Sequence, residues 1–455
     1  MKSFLFSFIS LGFSCFLTAQ SIQDIINTVN LDSLELTVSE FSGEIPTTVN
    51  GDQVTIISRQ QAINDLAAAY LVERFVAMKD LSVNIQTFNT NGKNVIATQL
   101  GKTNPNDIYI VCAHYDTVAD YCADDNATGT AAVLEMARIL SNQCIENTII
   151  YALWDEEEIG LRGSEFYANQ AAANNENILG VLNMDMMGYD GDNPGDIGDN
   201  EFDIDFRDIA GSVAMKNDII SVLNSYDFNL NVIEVNPGTA ASDHASFWGQ
   251  DYSAVLVGES WETNDQTPFY HTSQDRVATL DLPYFHEMTK LVTGWLATKA
   301  DLLVIDNTIS QNQEILTANQ DNAGYQWINL ETNSPIAGET NQVFMATENG
   351  NYAVEITFNG CTEISEAFSV DTLNLEQFSS EAIRIYPNPS KDFVNIVIKE
   401  TKDVQLSVFD ASGKLKLDTI LNGKSKLNIK NLSTGIYFFK FNSAEKTATF
   451  KFVKE

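Results

Sequence analysis

Histidine is scarce in this chain, with four in 455 residues. Basic residues are also few: 26 Lys and Arg stand against 62 Asp and Glu, a net charge of −36. Such a chain lacks the basic patches that bind phosphate backbones, which argues against nucleic acid as a partner. The charge favours solubility and says little about fold. Of five cysteines, four lie beyond the first 19 residues: Cys112, Cys122, Cys144 and Cys361. Their spacing makes neither a disulfide framework nor a zinc ribbon. Cys112 and Cys144 border apolar strands, where a free thiol is an ordinary core group. Long apolar runs are missing too, apart from Phe4–Leu17. That run follows Lys2, precedes Ala19-Gln20 and is short for a membrane span, so residues 1–19 read as a secretory signal. The mature chain is then expected to be exported, with no transmembrane segment.

The length suggests about three domains, and the charge divides unevenly. Residues 381–455 carry 13 Lys and Arg against 8 Asp and Glu, leaving 13 against 54 for the rest. Between them the pattern changes twice. Up to about residue 300, apolar strands alternate with helical stripes. The expected strands are 83–88, 94–100, 108–113, 148–154, 179–184 and 254–257. The expected helices are 59–78, 131–140 and 163–172, with a last one opened by Asp281-Leu282-Pro283. Alternation of this kind predicts an α/β fold, a mostly parallel central sheet with helices on both faces. Residues 305–372 have short alternating stretches broken by Asn-Gly turns. They are read as an Ig-like β-sandwich spacer. Residues 383–455 read as a second small all-β domain. The expected division is 1–19, 20–304, 305–372 and 383–455.

The scarce histidines are placed tellingly. His114 ends the strand 108–113, with Asp116 two residues on and Asp124-Asp125-Asn126 in the turn before the next helix. Glu156-Glu157-Glu158 follows the strand 148–154, Asp185 follows 179–184, and Tyr270-His271 follows 254–257. In open α/β sheets, sites gather beyond the carboxyl ends of strands. Imidazole and carboxylate at those ends suit zinc, and a two-metal site needs a bridging carboxylate with a ligand on each side. Ser242-Asp243-His244 holds triad residue types, but triad members meet in space rather than in tandem. His286 is read as structural.

The order His-x-Asp, Asp-Asn-x-x-Gly, Glu-Glu-x-Gly-x-x-Gly-Ser, Met-Asp-Met-x-Gly, Ser-Asp-His and His-Thr resembles the secreted dinuclear zinc aminopeptidases, a family that includes glutamate carboxypeptidases and glutaminyl cyclases. The resemblance covers about residues 30–300. It implies that His114 and Asp185 hold one zinc, Glu158 and His271 the other, and that Asp125 bridges them. It makes Glu157 the general base of a metal-assisted hydrolysis that releases N-terminal residues from peptides. Tyr270 would hydrogen-bond the tetrahedral intermediate. Asp116 would orient His114, and Asp243 would support the site from behind. Glu156 is left without a role. A carboxypeptidase stays open, with Arg162, Arg207 or Arg276 to bind a substrate carboxylate, as does a glutaminyl cyclase. A non-catalytic adhesin is disfavoured by the intact ligand set.

Two further readings concern the rest of the chain. Asp190, Asp192, Asp196 and Glu201 fall at positions 1, 3, 7 and 12 of a loop that echoes a Ca²⁺-binding loop. Pro194 departs from that pattern, and a solvated acidic loop is the alternative. At the C-terminus, Tyr386-Pro387-Asn388-Pro389, Ser412-Gly413 and Leu432-Ser-Thr-Gly435-Ile-Tyr437 resemble the sorting domain of type IX secretion. That implies recognition by the type IX machinery and a secreted or cell-surface protein.

Overall fold

The structure is a computed structural model that describes residues 21–191, 198–371, 376–378, 382–399, 403–443 and 446–455. The expected signal segment lies outside them. The chain forms two compact units that divide between Val304 and Ile305.

The first unit is built on an eight-stranded sheet. Its order is Leu81–Thr87, Lys93–Gln99, Asn147–Trp154, Asn104–His114, Ile178–Met184, Ala254–Glu259, Glu201–Asp205 and Asn231–Val235. The four central strands run parallel, and antiparallel pairs join them to the flanking strands. The reason is legible in Asn104–His114. Val111 and Ala113 enter the core on one face, and Ile110 and Cys112 enter the core on the other. A strand apolar on both sides must be covered on both sides, as parallel sheets are. Helices Gly129–Leu140 and Leu282–Ala300 cover one face; Arg162–Asn174 and His244–Trp248 cover the other. The long last helix starts as expected. Asp281 accepts from the Tyr284 amide at 3.0 Å, and Pro283 sits in the first turn, where its missing N–H costs nothing.

Three local expectations are corrected. The helix expected over 59–78 spans only Asp65–Val76, because Arg59 is fully buried and its guanidinium is drawn into backbone carbonyls. Strands Glu201–Asp205 and Asn231–Val235, with helix Ser212–Ser225 between them, were not anticipated. Cys144 is disulfide-bonded rather than free.

In the second unit, Ile309–Asn312, Ile315–Ala318 and Val343–Met345 form one antiparallel sheet. A second is centred on Gly324–Asn329 and Gly350–Phe358. Trp327 of the second stacks on Phe344 of the first, ring centroids 5.2 Å apart, as in a sandwich. Two more sheets follow. One includes Lys446–Lys454, Gly435–Asn442, Val404–Asp410 and Leu415–Leu421; the other comprises Ile383–Tyr386, Phe393–Ile398 and Lys424–Asn428. Lys440 and Glu314, both buried, pair at 2.9 Å. No helix among the described residues is long and apolar enough to cross a membrane.

Candidate active site

The parallel strands end on one rim of the sheet, and their last residues converge there. His114 ends one strand, Trp154 leads into Asp155–Glu158, and Met184 leads into Asp185. Asp125 comes from the segment Ala123–Thr128 that enters helix Gly129–Leu140. His114 Nε2 stands 3.3 Å from Asp185 Oδ1 and 3.3 Å from Asp125 Oδ1. His271 Nε2 stands 3.3 Å from the other oxygen of Asp125, Oδ2, and 3.1 Å from Glu158 Oε2. Glu157 joins the side of His114 and Asp185, one donor atom from each lying within 4.8 Å of the others. The structure thus brings together all five residues expected as ligands, with Asp125 facing both histidines.

This arrangement has the chemistry of a cation site. Ligand atoms about 2.0–2.1 Å from a tetrahedral zinc lie about 3.3 Å from one another, close to the separations found here. Asp125 Oδ2 and Glu158 Oε1 are buried and, among the described residues, accept no hydrogen bond. Burial pushes Glu157 up to about 10 and Glu158 up to about 8, the nearby carboxylates adding to the effect. Burial alone would lower His114, but the Asp185 and Glu157 carboxylates hold it well above the usual range. Crowded acids of this kind stay ionised only when positive charge compensates them. The residues present fit a divalent metal with nitrogen and oxygen ligands.

Surrounding groups fix the constellation. The Asp116 carboxylate accepts from the amides of Glu157 and Glu158 at 3.1 and 3.3 Å. It also lies 3.6 Å from His114 Nδ1, although the Asp116 carbonyl is nearer at 3.2 Å. Ser242 donates to Asp185 Oδ2 at 2.7 Å and receives the Asn183 amide at 2.7 Å, so its hydroxyl orients a carboxylate and is not poised as a nucleophile. Asp243 is fully buried at the start of helix His244–Trp248, and burial pushes it up to about 7. His244 turns away to the Thr239 carbonyl, and His286 to that of Val29. Tyr270 is exposed, stacks on His271 with centroids 3.6 Å apart and meets Trp261 edge-on. Glu156, Met186 and His271, each beside or within the constellation, have φ of 59°, 56° and 59°. Left-handed backbone at non-glycine residues concentrates at functional sites.

Sequence reasoning missed three groups. Asp275 accepts the amides of Asp124 and Asp125 at 2.8 and 2.9 Å and so aims the segment carrying Asp125. Its only sign was a carboxylate four residues after His271. Arg59 donates to the carbonyls of Phe41, Tyr115, Tyr121 and Cys122, tying the approach to that segment into the core. Glu156 is fully buried and accepts from Gln61 at 2.9 Å, Asn89 at 2.7 Å and Arg162 at 3.4 Å. Glu156→Gln would turn an NH₂ group toward one of these donors. It should cost about 1–3 kcal/mol of stability, seen as a lower Tm; a Tm equal to the parent's would contradict the anchoring role.

Other expected residues lie elsewhere. Cys122, which the sequence places near the proposed site, is buried with its thiol on the Ala119 carbonyl and belongs to no ligand group among the described residues. Asp192 and Asp196 of the expected calcium loop lie outside the described residues. Asp190 accepts from the Asn200 amide, and Glu201 opens a strand. One oxygen from each of Asp190, Asp199 and Asp265 lies within 4.8 Å of the others.

A cavity of about 670 Å³ opens over the constellation, from Glu157 and His271 to Asp205 and Pro237. Among the described residues its basic lining groups are His114 and His271. Arg162, Arg207 and Arg276 are engaged elsewhere: with Glu156, with the Gly238 carbonyl and the Trp248 ring, and with Glu44.

Comparison with known proteins agrees with this architecture. Residues 94–296 match peptidase family M28, and residues 384–455 match the secretion system C-terminal sorting domain. Leucine aminopeptidase 1 of Trichophyton equinum is 30% identical over 223 residues, which cover 46% of this chain and 58% of that protein. Leucine aminopeptidase 1 of Trichophyton rubrum is 28% identical over 222 residues, with the same coverage. The chain therefore spans little more than half the length of these relatives. Among solved structures, the LapA aminopeptidase of Legionella pneumophila superposes with a TM-score of 0.53 at 20% identity, covering 62% of this chain and 75% of that one, which shows a shared fold. The chain is thus similar to peptidase family M28 over residues 94–296, less than half of its length, and to the secretion system C-terminal sorting domain over residues 384–455.

Proposed function

We propose that this protein is an exported aminopeptidase with two zinc ions per chain. His114 and Asp185 would hold one, His271 and Glu158 the other, and Asp125 both. The observation that carries this reading is the pair of oxygens of Asp125, each 3.3 Å from a different histidine. The ions, when bound, lower the pKa of a water and polarise the scissile carbonyl. Glu157 accepts the proton of the attacking water on its carboxylate and delivers it to the nitrogen of the leaving amine. It lies beside His114 and Asp185 and lines the cavity in which the substrate would bind. The Tyr270 hydroxyl, at the mouth beside His271, donates to the oxygen that becomes negative as the carbonyl turns tetrahedral. The α-ammonium of the substrate sits among the carboxylates of Glu157 and Asp185.

The lining favours an amino- over a carboxypeptidase. A substrate carboxylate needs a cationic partner, and among the described residues no Lys or Arg lines the cavity. Hydrolysis of L-amino acid p-nitroanilides, set against N-blocked and C-terminal substrates, tests this directly. Cleavage of N-blocked substrates alone would contradict it.

The type IX secretion machinery is the partner proposed for the C-terminal domain. Deleting residues 383–455 should leave the protein inside the cell envelope, as read by fractionation. Undiminished appearance in the medium or on the surface would contradict that role.

A further inference from the structure

The cavity extends beyond the metal-binding residues along strand Ala254–Glu259 to strand Glu201–Asp205. Leu256 pairs with Asn183 on one side and with Asp205 on the other, and Gly258 pairs with Asp203. Alternate residues share a face of a strand, so Asp203 and Asp205 lie on the face of Leu256 and Gly258, and all four line the cavity. Asp205 is therefore two strand spacings, about 10 Å, from the strand that leads into Asp185. The lining includes the apolar groups of Met186, Val235, Pro237, Leu256 and Trp261, with the carboxylates of Glu259 and Glu262 beside them.

The two aspartates differ in one respect. Asp203 is saturated: Oδ1 accepts from the Ser260 hydroxyl at 2.7 Å, and Oδ2 from the amides of Trp261 and Glu262 at 2.8 and 3.2 Å. Asp205 is only 7% exposed, and its Oδ1 accepts from the Thr239 amide at 2.7 Å. Its Oδ2 has no hydrogen-bond partner among the described residues. The nearby Arg207 is directed onto the Gly238 carbonyl and stacks over Trp248. Burial, with Asp203 and Glu262 adding to it, pushes Asp205 up to about 6, so near neutral pH it is still an anion.

A cavity lined by apolar groups and by carboxylates, with the little-exposed Asp205 among them, complements a side chain with a long apolar stem and a cationic head. A leucine side chain covers the apolar lining but gives Asp205 Oδ2 no donor when it displaces water from that oxygen, which is costly. We propose that Asp205 is a specificity-determining residue that selects peptides with lysine or arginine at the N-terminus. This rests on the aminopeptidase reading above and names the substrate class of that site.

The test uses the full-length, zinc-loaded protein and its Asp205→Asn and Asp205→Glu variants. kcat/KM is measured on the p-nitroanilides of lysine, arginine and leucine, and the rise in Tm is measured with free lysine or leucine. The parent protein should favour lysine and arginine over leucine by at least about tenfold. Asp205→Asn should lower the lysine-to-leucine ratio by at least about tenfold, chiefly through KM. Lysine should raise the Tm of the parent more than leucine does, and that difference should vanish in Asp205→Asn. If the Asn variant does not fold, Asp205→Glu, which keeps the charge, should still prefer lysine. Leucine preferred by the parent, or both rates falling in equal proportion in Asp205→Asn, would overturn the proposal and leave the aminopeptidase reading intact. No cleavage of any of the three substrates would overturn both.

Discussion

Glu157→Gln is expected to keep the metals and to lose about 10²–10⁴-fold in kcat, the usual contribution of a general base. The change is isosteric, and Glu157 is not among the residues assigned to the two metals. Its backbone amide is held by Asp116 at 3.1 Å whichever side chain is present, so the segment should stay in place. An amide cannot take a proton from water at any working pH, so the loss belongs in kcat, with KM little changed. Glu158→Gln should differ, because its side chain faces His271 at 3.1 Å. It should lose metal before it loses chemistry. The check is zinc per chain beside kcat for both variants. An active Glu157→Gln would remove the base from the mechanism, and a metal-free one would make Glu157 a ligand.

Asp125→Ala should have the largest effect on metal binding. Its two oxygens stand 3.3 Å from the two histidines, so one substitution takes a ligand from both sites. It also leaves four acidic groups, Glu157, Glu158, Asp116 and Asp185, around two histidines with nothing between them. Both sites should lose affinity and activity should fall to that of chelated protein. His114→Ala should instead empty mainly the site of Asp185. Titration with zinc, followed by calorimetry, separates the two. If Asp125→Ala still takes two ions tightly, the bridging role is wrong.

The sequence made the centre of this site legible because its parts are short and sit at strand ends. His114, Asp125, Glu158, Asp185 and His271 each follow an apolar strand or open the helix after one. Strands apolar enough to be buried on both faces announce themselves. What was hidden depends on contacts far along the chain. Arg59 looked like the start of a helix, yet its guanidinium serves carbonyls up to 63 residues away. Asp275 supports Asp125 across 150 residues, and no local pattern marks that. In the run of three glutamates, nothing local shows that Glu156, the one without a motif, turns inward to Gln61 and Asn89. Strand Glu201–Asp205 escaped notice because acidic residues, poor strand formers, alternate with Phe202 and Ile204. The same alternation directs Asp203 and Asp205 to the cavity, and the sheet order that gives them meaning cannot be read along the chain.

The most direct test of the central claim is the zinc content per chain of the purified full-length protein, measured beside hydrolysis of amino acid p-nitroanilides before and after chelation. Two zinc ions per chain are expected. Both should leave with chelation, activity should vanish with them, and added Zn²⁺ should restore it. Full activity in metal-free protein, or full activity with a single zinc per chain, would contradict the account.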